Sequence, residues 1–246
     1  MKNCVLQSGD NLICLGKTSY PGRGIIMGMS MDGNYAVQIY WVMGRSENSQ
    51  NRVMVHNGDG LVSTRAFEPE KMKDPRLVIY NAMNESTRYF VVSNGEQTDR
   101  VQSGLVGGAD LPSILSQYQY EPDFPNCTPR ITGVCMLAGM ESPIFKLSIV
   151  RKSLWGTDCD RLFYNYETIH PGYGYCITTY MGDGSPLPSF RGEPRLMPIV
   201  GDIDKVADIY WAALNKVNRV SLAVKFTPIG SGQPLLKIIN KHPYKD

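Results

Sequence analysis

The chain has 246 residues, 42% hydrophobic and 20% charged, with a formal net charge of +2; this is the composition of an ordinary folded protein, and its dispersed basic residues exclude a nucleic-acid tail. The start MKNCVLQSGD lacks the long apolar core of a signal peptide and no apolar run approaches a membrane span, so the expectation is a soluble, cytoplasmic protein with no nucleic-acid or membrane partner. The six cysteines, at 4, 14, 127, 135, 159 and 176, contain no CxxC pair, which suits reduced thiols better than a disulfide framework or a zinc site.

In chain order, residues 1–19 read as an N-terminal extension with a short apolar piece, Leu12 to Leu15. Tyr20-Pro21-Gly22-Arg23-Gly24 is a turn, followed by a strand over Ile25 to Met29 and a hairpin at Asp32-Gly33-Asn34. The next strand alternates with a period of two. Tyr35, Val37, Ile39, Trp41 and Met43 share one face, and Ala36, Gln38, Tyr40 and Val42 the other. Gly44 breaks the pattern, and a polar loop carries Arg45, Ser46, Glu47, Asn48, Ser49, Gln50, Asn51 and Arg52. Two arginines delivered by a buried strand suit the planar, bidentate grip that phosphate requires.

Val53 to His56 and Leu61 to Phe67 form a second hairpin, and Pro69 to Lys73 a short helical turn. Leu77 to Ala82 is expected to pair with Arg88 to Ser93. Thr98 to Leu105 and Leu111 to Tyr120 read as helices, and Pro122 to Pro129 as an irregular connector. Strands follow at Arg130 to Leu137, Ile144 to Arg151, Arg161 to Thr168 and Tyr175 to Tyr180, then a Gly/Pro-rich loop from Gly182 to Pro198. Asp204 to Val217 is the clearest helix, and the chain closes with strands over Ser221 to Phe226 and Leu235 to Ile239. About ten strands in hairpin runs, without βαβ alternation, predict an α+β fold of two antiparallel sheets packed face to face with helices outside. No composition shift marks a linker, so residues 1–246 are expected to form one domain.

The motifs exclude several chemistries. GxSxG, GxxxxGK[ST] and a strand-to-helix GxGxxG are absent, and only His56, His170 and His242 are available as imidazole bases. What remains are polar sets at strand ends and helix starts: Gly44-Arg45-Ser46 with Asn51-Arg52, Tyr80-Asn81, Asn94-Gly95, Thr98-Asp99, Glu121 and Thr128-Pro129-Arg130. Taken singly, each reads as a turn, a cap or a strand entry.

Taken in order, and with Tyr20-Pro21-Gly22-Arg23 before them, these sets resemble the archaeal-type IMP cyclohydrolases over roughly residues 20 to 230. The resemblance implies a four-layer αββα sandwich similar to the N-terminal nucleophile hydrolases. It also implies closure of 5-formamidoimidazole-4-carboxamide ribonucleotide to IMP in purine biosynthesis, without cofactor or metal. Arg52, Tyr80 and Glu121 match the family's proposed catalytic positions, with Arg52 and Tyr80 polarising the formyl oxygen and Glu121 serving the carboxamide. Arg23, Arg45 and Arg130 would meet phosphate and base, and Asn94, Thr98 and Asp99 the ribose or the ring. The expected partners are the purine nucleotide substrate and product, and the sequence is compatible with a homo-oligomer. The residues before Tyr20, the Pro122 to Cys127 connector, the Gly182 to Pro198 loop and Gly44 in Gly44-Arg45-Ser46 depart from the family pattern and suit a bacterial branch. Two other classes stay open: an amidohydrolase with a nucleophile such as Cys4 or Cys14 freed at a new N-terminus, and a purine-nucleotide-binding regulator without turnover.

Overall fold

The computed structural model describes residues 2–137 and 143–244. Met1, the first residue of the expected extension, lies outside them. Most of that extension is a helix, α1 (Lys2–Lys17), whose Leu15 is buried and whose Leu12 packs against the same cluster.

The central element is β2 (Tyr35–Met43), and its alternation places it correctly between two layers. Val37, Ile39, Trp41 and Met43 point into one apolar cluster, and Ala36, Tyr40 and Val42 into another. On either side β2 pairs with β1 (Gly24–Met29) and β12 (Arg219–Pro228), Ile39 lying opposite both Ile26 and Val224. β10 (Tyr173–Thr178), β11 (Arg195–Pro198) and β13 (Leu235–Asn240) complete a six-stranded antiparallel sheet in the order β11-β10-β1-β2-β12-β13.

The second sheet is a seven-stranded meander in chain order. It runs through β3 (Arg52–His56), β4 (Val62–Ala66), β5 (Asn81–Glu85), β6 (Tyr89–Ser93), β7 (Arg130–Met136), β8 (Ile144–Lys152) and β9 (Cys159–Tyr166). Apolar side chains of both sheets interdigitate in the middle, including Tyr40, Met54, Phe90 and Ile131. On the outer face of the six-stranded sheet, α1 and α5 (Ile203–Ala213) cover Trp41, Ile39 and Leu222. On the outer face of the seven-stranded sheet, α3 (Gln97–Val106) and α4 (Leu111–Leu115) cover Val91, Val134 and Val150. The layers are therefore helix, sheet, sheet, helix, as expected, because each sheet is apolar on both faces, one packing on the other sheet and one under helices that each carry an apolar stripe.

Several boundaries differ from the sequence reading for local reasons. Leu77 to Tyr80 is not strand. The amides of Val78 and Ile79 both donate to Pro75 O, closing a turn, and the Thr64 hydroxyl bonds the carbonyls of Val78 and Tyr80. The strand begins at Asn81. α4 stops at Leu115, not Tyr120, where Arg161 takes up the carbonyls of Leu115, Ser116 and Tyr118. α5 stops at Ala213, not Val217. Leu214 is extended, and the Asn215 side chain accepts from the amides of Val217 and Asn218. A short helix, α2 (Glu47–Gln50), interrupts the polar loop after Gly44, with Ser46 as its reciprocal cap. β11 lies inside the loop read as irregular, and thirteen strands rather than ten are present among the described residues.

Candidate functional site

One end of the sandwich carries a cavity of about 320 Å³, walled by both sheets. The six-stranded sheet contributes Arg23, just before β1, and Arg45, just after β2; the seven-stranded sheet contributes Arg52 at the start of β3. Glu121 and Thr128 come from the connector that leads into β7, and Tyr180 from the segment after β10.

Arg23 is aimed by its neighbour. Gly22 has φ of +72°, and a Cβ there would lie 2.5 Å from the Tyr180 ring, so only glycine makes the turn. Backbone bonds with Thr179 then fix Arg23, its amide donating to Thr179 Oγ1 at 3.1 Å and its carbonyl accepting from Thr179 N at 2.8 Å. Its Nη2 meets Glu121 Oε2 at 2.8 Å in a buried ion pair. The other carboxylate oxygen accepts from Asn94 Nδ2 at 3.2 Å. The orientation of Asn94 is forced, because its Oδ1 accepts from the Ile131 amide at 2.8 Å and its Nδ2 must turn the other way. Burial pushes the Glu121 carboxyl above its ordinary range by more than Arg23 pulls it back. Burial opposes the charge on Arg23 too, yet Glu121 and the surrounding phenols raise it well above the usual arginine value.

Arg52 is 2% exposed. Nε donates to Ser49 O at 2.7 Å and Nη2 to Met43 O at 3.3 Å, whereas the buried Nη1 has no partner among the described residues. A guanidinium nitrogen held dry and unsatisfied in a cavity wall is costly unless a ligand oxygen completes it. Burial and the nearby Arg23 lower the Arg52 pKa, although Tyr80 works against them; arginine nonetheless stays charged.

Tyr80 is not itself on the cavity wall; Leu77 and Val78, just before it, are. Its hydroxyl lies 2.6 Å from that of Tyr40. Tyr40 is fully buried with that hydroxyl as its one partner among the described residues. The two buried phenols share one hydrogen bond in which either oxygen can donate. Nothing in the sequence marked Tyr40, because it read as the inward face of an alternating strand. Arg45 is half exposed at the rim, paired with Asp183 and lying over the Tyr20 ring at 5.0 Å.

The structure therefore gathers Arg23, Arg45, Arg52 and Glu121 at one cavity, with Asn94 behind Glu121 and Tyr80 close to both inner arginines. It does not bring Thr98, Asp99 or Arg130 to the cavity wall. The Thr98 hydroxyl bonds Gly95 O at 2.9 Å in the first turn of α3. Asp99 accepts from Asn81 and Asn84, each at 2.8 Å. Arg130 commits its guanidinium to Gln119 O, Gln97 Oε1 and Glu96 Oε1 and lies over the Tyr118 ring. Lining residues that sequence reasoning did not name for the site include Asp123 and Tyr180, which gave only generic connector and strand signals, and Tyr20, which entered only within the Tyr20-Pro21-Gly22-Arg23 motif. Cys4 and Cys14 lie exposed on α1 and do not line the cavity. Among the described residues no group of three or more His, Cys, Asp or Glu could hold a metal ion, and no helix is long and apolar enough to cross a membrane.

A family model described as IMP cyclohydrolase-like protein matches residues 20–231. A relative from Methanopyrus kandleri named IMP cyclohydrolase is 26% identical over 174 residues, an alignment covering 69% of this chain and 79% of the relative. The matched span holds the whole arginine-lined cavity and both sheets apart from β13, and on that match the chain belongs to the IMP cyclohydrolase-like family.

Proposed function

We propose that the protein is an IMP cyclohydrolase that closes 5-formamidoimidazole-4-carboxamide ribonucleotide to IMP with loss of water, using no cofactor and no metal. The observation that carries this reading is the Arg52 guanidinium, buried in the cavity wall with Nη1 unpartnered among the described residues. It is a preorganised donor for an oxygen on which negative charge develops.

The reaction is intramolecular. The carboxamide nitrogen attacks the formyl carbon of the same ring, and the carbinolamine loses its hydroxyl as water. Both reactants are joined already, so most of the proximity gain of about 7–11 kcal/mol resides in the substrate. What remains for the chain is to hold the reactive rotamers, stabilise the oxyanion and move protons. Arg52 Nη1 serves the formyl oxygen, and the Tyr80 hydroxyl, just behind the wall, joins it when Tyr40 is the donor in their shared bond. Glu121, held by Arg23 and Asn94, carries one carboxamide proton to the formyl oxygen, and the formamido N–H proton follows by the same carboxylate, so that the hydroxyl departs as water and the C=N bond forms. An oxyanion donor contributes about 10²–10³ in rate and a placed base about 10²–10⁴. Arg45 at the rim exchanges Asp183 for the phosphate of substrate or product. Arg130, Thr98 and Asp99 support the walls from behind. The reaction belongs to purine biosynthesis, a cytoplasmic setting.

The test is direct. Pure chain, exhaustively chelated, is mixed with the formamido ribonucleotide and IMP is followed by ultraviolet absorbance. Turnover that persists without metal is expected; no turnover, or a stoichiometric metal whose removal abolishes it, overturns the reading.

A further inference from the structure

The Tyr180 hydroxyl ends a hydrogen-bond chain whose direction can be worked out. Asp123 accepts from the Thr128 amide at 2.7 Å through Oδ1, and its Oδ2 bonds the Thr128 hydroxyl. That hydroxyl also bonds the Tyr180 hydroxyl. A carboxylate accepts only, so the single Thr128 proton goes to Asp123, and Tyr180 must donate to Thr128. The proton of Tyr180 is thereby used, and burial holds its phenol protonated by raising its pKa. What Tyr180 can offer the cavity is a lone pair. The ring is fixed for this role, stacked on Tyr20 at 5.9 Å and packed against Gly22. Glu121 stands next to it, its amide bonded to Thr128 O at 2.8 Å. The cavity therefore has a donor side, made of arginines, and an acceptor side, made of Glu121 and Tyr180.

Resting on the cyclohydrolase reading, we propose that Tyr180 is a positioning residue whose phenolic oxygen accepts one N–H of the substrate carboxamide, leaving the other N–H to Glu121. The oxygen and nitrogen of a carboxamide have nearly the same shape, so shape alone does not choose which of them faces the formyl carbon. Two acceptors side by side choose the nitrogen, because a flipped amide would set oxygen against oxygen.

The chain's direction can be reversed. In Asp123→Asn, Oδ1 still accepts from the Thr128 amide, so the NH2 group faces the Thr128 oxygen. Thr128 must then donate to Tyr180, and Tyr180 must donate into the cavity. The binding probe is 5-aminoimidazole-4-carboxamide ribonucleotide, which lacks the formyl group and cannot cyclise; ribose 5-phosphate is the control ligand. By calorimetry, Tyr180→Phe is expected to weaken the carboxamide nucleotide about 5- to 10-fold, one hydrogen bond's worth. Asp123→Asn should weaken it more than Tyr180→Phe does, with kcat falling in parallel. The double variant Asp123→Asn/Tyr180→Phe should return to the affinity of Tyr180→Phe alone, since no inverted hydroxyl is left. A merely structural role would make the double variant worse than either single one. Ribose 5-phosphate affinity should not change in any of them. Wild-type affinity in Asp123→Asn, an additive double variant, or an equal loss for ribose 5-phosphate overturns the proposal. If wild type binds and converts its nucleotide while these variants behave as wild type, the positioning role alone fails. If wild type neither binds nor converts it, the cyclohydrolase reading fails and takes this role with it.

Discussion

At the scale of single residues, Tyr80 and Glu121 separate chemistry from packing. Tyr80→Phe removes a donor that strengthens as charge develops, so kcat should fall about 10²-fold while KM moves little. It also strands the buried Tyr40 hydroxyl, which costs about 1–3 kcal/mol. The double variant Tyr40→Phe/Tyr80→Phe replaces both partners by rings, so thermal stability should return towards wild type while kcat stays low. A double variant that regains turnover would make the pair structural. Glu121 supplies the pH dependence. Its carboxyl titrates above the ordinary glutamate range because burial disfavours the charge. Activity that needs the carboxylate is complete above that raised pKa and lost as pH falls through it. The acid limb of the kcat profile should therefore lie at higher pH than an ordinary glutamate would place it. Glu121→Gln should flatten the limb and lower kcat throughout; an unchanged limb would assign it to another group.

At the scale of elements, the loop after β2 and the helix α1 each make a claim. Gly44 lets the loop fold back, since a Cβ there would meet the Ser49 backbone at 2.6 Å. Arg45 is then held at the rim by Asp183 and Gly184 O. Half exposed, it sits in partly screened surroundings, so Arg45→Ala should weaken IMP binding by about 10-fold, the low end for a lost charge-assisted phosphate contact. Unchanged IMP affinity by calorimetry would move the phosphate elsewhere. α1 lies outside the matched residues 20–231, yet its Leu15 is buried in the same apolar cluster as Val206 and Tyr210 of α5. Removing residues 2–17 would uncover that apolar face. A loss of about 3 kcal/mol is expected in urea unfolding, roughly two leucine side chains; an unaltered midpoint would make α1 an appendage.

At the scale of the whole molecule, polar ties besides the Arg52–Met43 bond set how one sheet lies on the other. Gln38 Nε2 donates to Phe90 O, Asn240 exchanges two bonds with the Met54 backbone, and Lys225 pairs with Glu85. The Lys225 side chain is only 2% exposed, so Glu85→Gln leaves a buried cation without its counter-ion. The expected cost is about 3 kcal/mol, because breaking a buried pair is worse than never having made it. Lys225→Met/Glu85→Leu should recover most of it, and calorimetric melting of wild type and the two variants checks the order. A single variant as stable as wild type would show that Lys225 finds water.

Much of this was legible along the chain, and the limit has a physical cause. Period-two alternation placed both faces of β2 correctly, because side-chain direction along a strand follows from the backbone alone. The ordered motifs led to Arg23, Arg52 and Glu121 by resemblance. Which arginine enters the cavity was beyond such signals. Arg23 and Arg130 look alike in sequence, and their difference lies in partners 98 and 34 residues distant, Glu121 for one and Glu96 for the other. β11 has only a four-residue, proline-ended stretch of its own and becomes a strand by pairing with Tyr173 to Cys176. Tyr180 acquires its polarity from Thr128, 52 residues away. Local backbone geometry writes itself into sequence at short period, whereas the direction of a proton in a buried bond depends on every partner the fold assembles around it.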